Sequence, residues 1–308
     1  MISKMGTGRS LGAFVLVACL SSSACTDRAQ QDTAADTTDA AAPASAGWLY
    51  LVDAGGDVSR ILRVRPDGSA VDTVLATAAP ASRGIVLDAA HRTLIWASRD
   101  GDRIQRASLE GGTFTETTDF PAQGLDSAYA VALHASRGHL YWTDYGTGAI
   151  HRANLNGSDA QIIVRGLTAP RGMDLDTVDG WIYWTDVGTK QVQRARLDGT
   201  GLQALLQAQH GLDQPYGVTL DRKNNFIYVT DAGTGNILRA RPDGTESQVL
   251  IPQSGPHPSF LIVLEDEGRM YWGDNRANRV RRARLDGTQI EDVIPGGLAG
   301  PRGLVYVR

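Results

Sequence analysis

An all-β fold, a six-bladed β-propeller of four-stranded antiparallel blades, is predicted by three observations on this chain of 308 residues. The tetrapeptide Tyr141-Trp142-Thr143-Asp144 returns as Tyr183-Trp184-Thr185-Asp186, Tyr228-Val229-Thr230-Asp231 and Tyr271-Trp272-Gly273-Asp274, with weaker copies at Tyr50 to Asp53 and Ile95 to Ser98. The leading residues of these six copies lie 45, 46, 42, 45 and 43 positions apart, a period that indicates stacked or radial repeats. No stretch after residue 47 sustains a helical period, whereas short strand-like runs alternate with Gly and Asp-Gly steps.

One repeat justifies the elements in order. Gly172 to Asp176 forms a first strand, Trp181 to Asp186 a second, Gln191 to Leu197 a third and Leu202 to Leu206 a fourth. Gly180, Gly188 and Asp198-Gly199 supply the positive φ values that tight hairpins require. The same turn recurs at Asp67-Gly68, Glu110-Gly111, Asn156-Gly157, Asp243-Gly244 and Asp286-Gly287, so each copy is a four-stranded meander. A meander has two apolar faces, and radial packing buries each against a neighbour. The chain enters at Trp48 to Asp53, a second strand, and reaches Gly303 to Val307, a first strand. The C-terminal strand is therefore expected to complete the N-terminal blade and remove the exposed edges of an open array.

Residues 48–308 thus form one domain, preceded by two segments of different character. Lys4 and Arg9, then an apolar run from Leu11 to Leu20 and small residues up to Cys25, have the layout of a signal peptide over 1–25. The run is too short to span a bilayer. Leu16-Val17-Ala18-Cys19 and Ser22-Ser23-Ala24-Cys25 both resemble the bacterial lipobox, which implies lipidation at Cys19 or Cys25. Residues 26–47, rich in Ala, Thr, Asp and Gln, are expected to form a disordered tether. These are the only two cysteines, so the domain has no disulfide framework and no thiolate metal site. The formal charge of −4 falls to about −3 on residues 47–308, which gives no bulk attraction to nucleic acid.

The Tyr-Trp-Thr-Asp strands, the following Ile-x-Arg-Ala-x-Leu-Asp-Gly pattern (Ile150 to Gly157, Val192 to Gly199, Ile237 to Gly244, Val280 to Gly287) and the preceding Pro-Arg-Gly segments resemble the class B (YWTD) repeats of the LDL receptor family. The resemblance covers all six blades and implies a YWTD propeller that uses one face to bind protein partners. Animal members follow the propeller with a cysteine-rich EGF module, a pattern this sequence does not contain.

Repeated charges are read as structural. Asp144 and Arg152, Asp186 and Arg194, Asp231 and Arg239, Asp274 and Arg282 lie eight apart, and a hairpin is expected to bring each pair together to satisfy buried polar atoms. Trp96, Trp142, Trp184 and Trp272 are expected to pack between blades. Asn156-Gly157-Ser158 matches a glycosylation sequon but occupies the repeated turn. The histidines fall at unrelated phases of the repeat and make no metal-ligand spacing, and no nucleophile elbow or phosphate loop is present.

Function should lie where the copies differ on one face. Equivalent positions at the entry of successive first strands read Arg83, Tyr129, Arg171, Tyr216, Ser259 and Arg302, a ring expected at the channel mouth. His257 precedes the sixth blade, and Arg99, Tyr145, Lys190, Asn236 and Arg276 are expected in the loops outside the ring. Arg and Tyr are enriched at binding hot spots, and Arg holds carboxylates in bidentate fashion. The expected function is that of a non-enzymatic, monomeric binding module for a protein or peptide, with no cofactor, lipid-anchored in a bacterial envelope at the outer membrane. Its contact with the membrane is through the N-terminal lipid alone. An alternative is a metal-dependent lactonase-like hydrolase of the gluconolactonase propeller type, for which the Arg and Tyr at the mouth are the wrong ligands. A third reading is a structural part of an envelope complex.

Overall fold

The computed structural model describes residues 47–308 apart from 56–57, 78–80 and 111–112. The expected signal peptide, Cys19, Cys25 and all of the expected tether except Gly47 lie outside the described residues. Gly47 itself is buried, its carbonyl accepting a hydrogen bond from Arg65 Nη1 at 3.1 Å.

Six four-stranded antiparallel sheets form the fold. Blade 1 joins Pro301–Val307 as its first strand to Trp48–Gly55 as its second, so the last strand of the chain closes the ring as expected. Blades 2 to 6 begin with first strands Ser82–Asp88, Ala128–His134, Pro170–Asp176, Pro215–Asp221 and Pro258–Leu264. These six first strands contact one another in sequence around the axis. A register shift near the start of every first strand marks a bulge, which in blades 1 to 5 turns the second residue toward the axis. Close approach is possible because the third residue is small in most blades. A Cβ on Gly172 would lie 2.5 Å from the Tyr216 carbonyl oxygen, and one on Gly303 would lie 2.3 Å from that of Arg83.

The tryptophans pack between blades. Trp96, Trp142, Trp184 and Trp272 are fully buried, and each lies among residues of the preceding blade: Trp184 with Tyr141 and Ile150, Trp272 with Tyr228 and Ile237. The threonine of the repeat links blades by hydrogen bonds. Thr185 Oγ1 accepts from Gly172 N at 3.0 Å and donates to the Tyr216 carbonyl at 2.9 Å, and Thr143 and Thr230 make the same two bonds.

The repeated Asp and Arg do not pair with each other. In each hairpin the arginine stands opposite the tyrosine of the repeat, Arg194 opposite Tyr183, while Asp186 stands opposite Gln191 at the other end. Each carboxylate instead receives backbone N–H groups from nearby loops. Asp186 accepts from Thr168, Ala169 and Thr189, and Asp231 from Asp213, Gln214, Gly233 and Thr234. Asp144 accepts from Asp126 and Thr147, whereas Asp274 accepts from Ala277 and lies 3.5 Å from Arg279. The arginines reach the Asx-Gly turn of the next blade: Arg194 donates to Pro242 O, Arg239 to Leu285 O, and Arg282 to Pro66 O, which joins blade 6 to blade 1. Arg152 bonds Gln161 Oε1 at 3.1 Å. Eight residues along a hairpin thus separate two structural roles at opposite ends of the blade.

The Asx-Gly turns have the expected geometry, but Gly188 lacks the positive φ expected of it, and in that turn Lys190 has one instead, at 55°. Gly68, Gly157, Gly199, Gly244 and Gly287 have φ between 81° and 88°. The preceding Asx side chain accepts the N–H two residues on, as Asn156 does from Ser158 at 3.0 Å.

Candidate functional site

The second residue of the first strand, turned inward by the bulge, places Arg83, Tyr129, Arg171, Tyr216 and Arg302 around one end of the axis, whereas Ser259, expected in the same ring, is fully buried between blades with its hydroxyl on the Gly273 and Pro301 carbonyls. The structure brings the arginines and tyrosines of this ring together, but as a packed plug rather than a fully exposed rim. Arg83, Tyr129 and Tyr216 are buried, and Arg171 and Arg302 are half-buried. The Tyr129 hydroxyl donates to the Tyr216 hydroxyl, and Arg302 Nη1 donates to the same Tyr216 oxygen at 3.0 Å. The Arg171 guanidinium lies 5.3 Å from the Tyr129 ring centroid and 4.9 Å from that of Tyr216, and Arg83 lies 5.8 Å from Tyr129. These are cation–π distances.

Phe260 completes the plug. It stacks on Tyr129 at 6.2 Å and meets Tyr216 edge-on at 5.6 Å. Sequence reasoning missed it, although the signal exists: the third residues of the first strands read Gly84, Ala130, Gly172, Gly217, Phe260 and Gly303, one bulky side chain among small ones. His257 lies beside the plug, 5.5 Å from Tyr216. Burial, followed by Arg302, pushes its pKa below the ordinary histidine value, so it is neutral near pH 7.

The electrostatics of the mouth are unbalanced. Arg83, Arg171 and Arg302 make no ion pair among the described residues, and their Nε atoms, with His257 Nδ1, are buried and lack a hydrogen-bond partner there. Burial lowers the Arg83 pKa. Burial acts to raise the Tyr216 pKa, but Arg302, Arg83 and Arg171 outweigh it and leave the phenol more acidic than usual. Tyr129, the donor to Tyr216, is pushed the other way by burial.

The outer positions behave individually. Tyr145 and Arg276 are exposed. Lys190 pairs with Asp213 at 2.6 Å and Arg99 with Asp100. Asn236 begins a strand, Asn236–Ala240, rather than lying in a loop, and its Oδ1 accepts from Gln253 N.

A divalent metal at this mouth would need carboxylate or amide oxygens in several ring positions. Three arginines and two tyrosines do not fit it, because three positive charges repel a cation and only the two phenol oxygens remain, the Ser259 hydroxyl being bonded to the Gly273 and Pro301 carbonyls. Among the described residues no group of three or more His, Asp or Glu is placed to hold a metal ion.

Fold and site define a six-bladed β-propeller whose axial mouth is cationic and aromatic. The family described as the SMP-30/Gluconolactonase/LRE-like region matches residues 44–262, and the chain belongs to it. Its repeats are also homologous to those of nidogen and LDL receptor-related propellers. Nidogen-2 of Mus musculus is 33% identical over 125 residues, covering 39% of this chain and 9% of nidogen-2. A low-density lipoprotein receptor-related protein 5-like protein of Homo sapiens is 31% identical over 132 residues, 42% of this chain and 50% of that protein. The chain therefore spans at most half the length of these relatives. The crystal structure of a nidogen/laminin complex contains a chain of the same fold, with a TM-score of 0.74 and 24% identity over 84% of this chain and 98% of that one.

Proposed function

We propose that this propeller is a binding module that recognises a protein or peptide through its Arg and Tyr mouth, anchored to a bacterial envelope by a lipid at Cys19 or Cys25. One observation carries the reading: three guanidinium groups converge on the axis and none of them forms an ion pair among the described residues. Buried or half-buried cations without a counter-charge are costly. A partner carboxylate, from an acidic side chain or a chain terminus, would lower that cost and meet Arg in its preferred planar geometry. The relation to nidogen and LDL receptor-related propellers supports a protein partner over a small substrate.

Membership of the SMP-30/gluconolactonase family favours a second reading as a lactonase-type hydrolase. The donor set at the mouth argues against it, since no metal-assisted step can be built on three arginines.

The test is affinity capture from envelope extract, with the full chain as bait beside an Arg171→Ala, Arg302→Ala variant shown to melt at the same temperature. A partner retained by the first and lost by the second is expected. Equal retention by both overturns the assignment of the face, and lactone turnover that depends on an added divalent cation would replace the binding module with the hydrolase.

A further inference from the structure

Beneath the plug the axis opens into a cavity of about 360 Å³, a size suited to small ligands. The bulge that turns the second residue inward does the same for the fifth. The fifth residues are Val86, Ala132, Asp174, Thr219, Ile262 and Val305, and all six line this cavity. Five are uncharged, so one carboxylate stands in an otherwise apolar and hydroxyl-bearing ring.

Asp174 is held but not saturated. It accepts from Leu175 N at 2.7 Å, Leu220 N at 2.9 Å and Thr219 Oγ1 at 3.2 Å. Its nearest cation, Arg222 Nη2, lies 3.5 Å away and also donates to the Leu175 carbonyl. A quarter of the Asp174 side chain, 25%, remains exposed. Burial raises its pKa in spite of these partners, so the carboxylate is under-compensated where it stands.

The adjoining cavity, of about 480 Å³, shares Asp174, Thr219 and Arg222 with the channel and adds Glu265, Asp266 and Glu267 on one wall. Four acids face two arginines there, and Arg308 is already paired with Asp266. The entrance therefore favours a cation, whereas the opposite end of the axis favours an anion.

We infer that this channel binds a small molecule with an apolar body and a primary ammonium group, the ammonium on Asp174 and Thr219 and the body against Val86, Ala132, Ile262 and Val305. The ammonium supplies three donors to a carboxylate and a hydroxyl that both have acceptor capacity left. The apolar ring supplies burial for a short chain. This site is independent of the partner proposed for the mouth.

The test uses n-hexylammonium as probe, with 1-hexanol and hexanoate as controls, titrated into the full chain by calorimetry. Saturable binding of hexylammonium is expected, at least about tenfold tighter than either control. Asp174→Asn should remove that preference and leave the hexanol affinity unchanged. Ala132→Leu, which narrows the channel and leaves the Asp174 carboxylate in place, should weaken all three by about tenfold or more. Hexylammonium binding that is absent, no tighter than hexanol, or still preferred in Asp174→Asn overturns the inference. Should Asp174→Asn fail to fold, Ala132→Leu decides alone, and unchanged affinity there overturns the inference as well.

Discussion

Ser259 and Gly273 complement each other in blade 6: the Ser259 hydroxyl lies 3.1 Å from the Gly273 carbonyl and 2.9 Å from that of Pro301, and shares its proton between them. In blades 3, 4 and 5 the position of Gly273 is a threonine that bonds to the next blade. Blade 6 has moved that hydroxyl from the second strand to the first. A Cβ on Gly273 would lie 2.7 Å from Ser259 Oγ and 2.8 Å from the Pro301 oxygen, so there is no room for both.

Gly273→Ala should therefore destabilise the domain by about 1–3 kcal/mol, the usual range for overpacking. Ser259→Ala should cost a similar amount by stranding two buried carbonyls. The double variant should be less unstable than the sum, because removing Oγ relieves one clash. Urea midpoints of the four proteins check this, and strict additivity would refute it.

Arg282 closes the ring. It donates to Pro66 O at 2.8 Å and pairs with Glu291 at 2.6 Å, so its removal loosens the junction between the last blade and the first. Arg282→Ala should cost about 1–2 kcal/mol and speed unfolding more than it slows refolding. Arg282→Lys should rescue little, since one ammonium cannot span both partners. Chevron kinetics distinguish these outcomes.

Asp231 accepts four backbone N–H groups and the Thr234 hydroxyl. Asp231→Asn turns acceptor positions into donors facing donors, and should cost about 2–3 kcal/mol. Asp243→Asn, in an exposed turn, should cost well under about 1 kcal/mol, since an Asx turn tolerates either residue. Paired thermal melts test the contrast.

The two phenols of the plug should titrate apart. Tyr216 is more acidic folded than unfolded, so it takes up fewer protons in the native state at pH values below 10, and its contribution to stability grows with pH until the unfolded phenol ionises. Tyr129 is less acidic folded, so its contribution is complete below pH 10 and is lost as pH rises above it. Phenolate absorbance should show one early tyrosine, absent in Tyr216→Phe, and a group of late ones that ionise together with unfolding. Loss of the early phase in Tyr129→Phe alone would reverse the assignment.

Arg83 is 5% exposed, and among the described residues its guanidinium donates only to the carbonyl of its neighbour Ser82, at 3.1 Å. Replacing it by methionine removes a buried cation and part of the repulsion among three arginines, and should stabilise the free domain by about 1 kcal/mol. The same change should weaken capture of an acidic partner. A variant that melts lower would show that its contact with Tyr129 outweighs the buried charge.

Much of the fold was legible in the sequence because it is repetitive. Six copies of a strand pattern, five with an Asx-Gly turn and one with Glu110-Gly111 in its place, leave radial closure as the way to bury both faces, and the phase of the ends points to the closing strand. Partners within the blade were less legible. The spacing of Asp186 and Arg194 suggests a pair, yet antiparallel register sends them to opposite ends of the hairpin, one to cap loops and the other to reach the next blade.

The sequence by itself determined the blade, the number of blades, and the Arg and Tyr character of one end, because these follow from local periodicity and from equivalent positions in each copy. Only the tertiary structure decided that this ring packs as a plug with Phe260, and that Asp174 is the single carboxylate among the residues lining the channel below. Both depend on the bulge in each first strand and on the distance across the axis, where residues remote in the chain meet and where burial sets the charge each can carry.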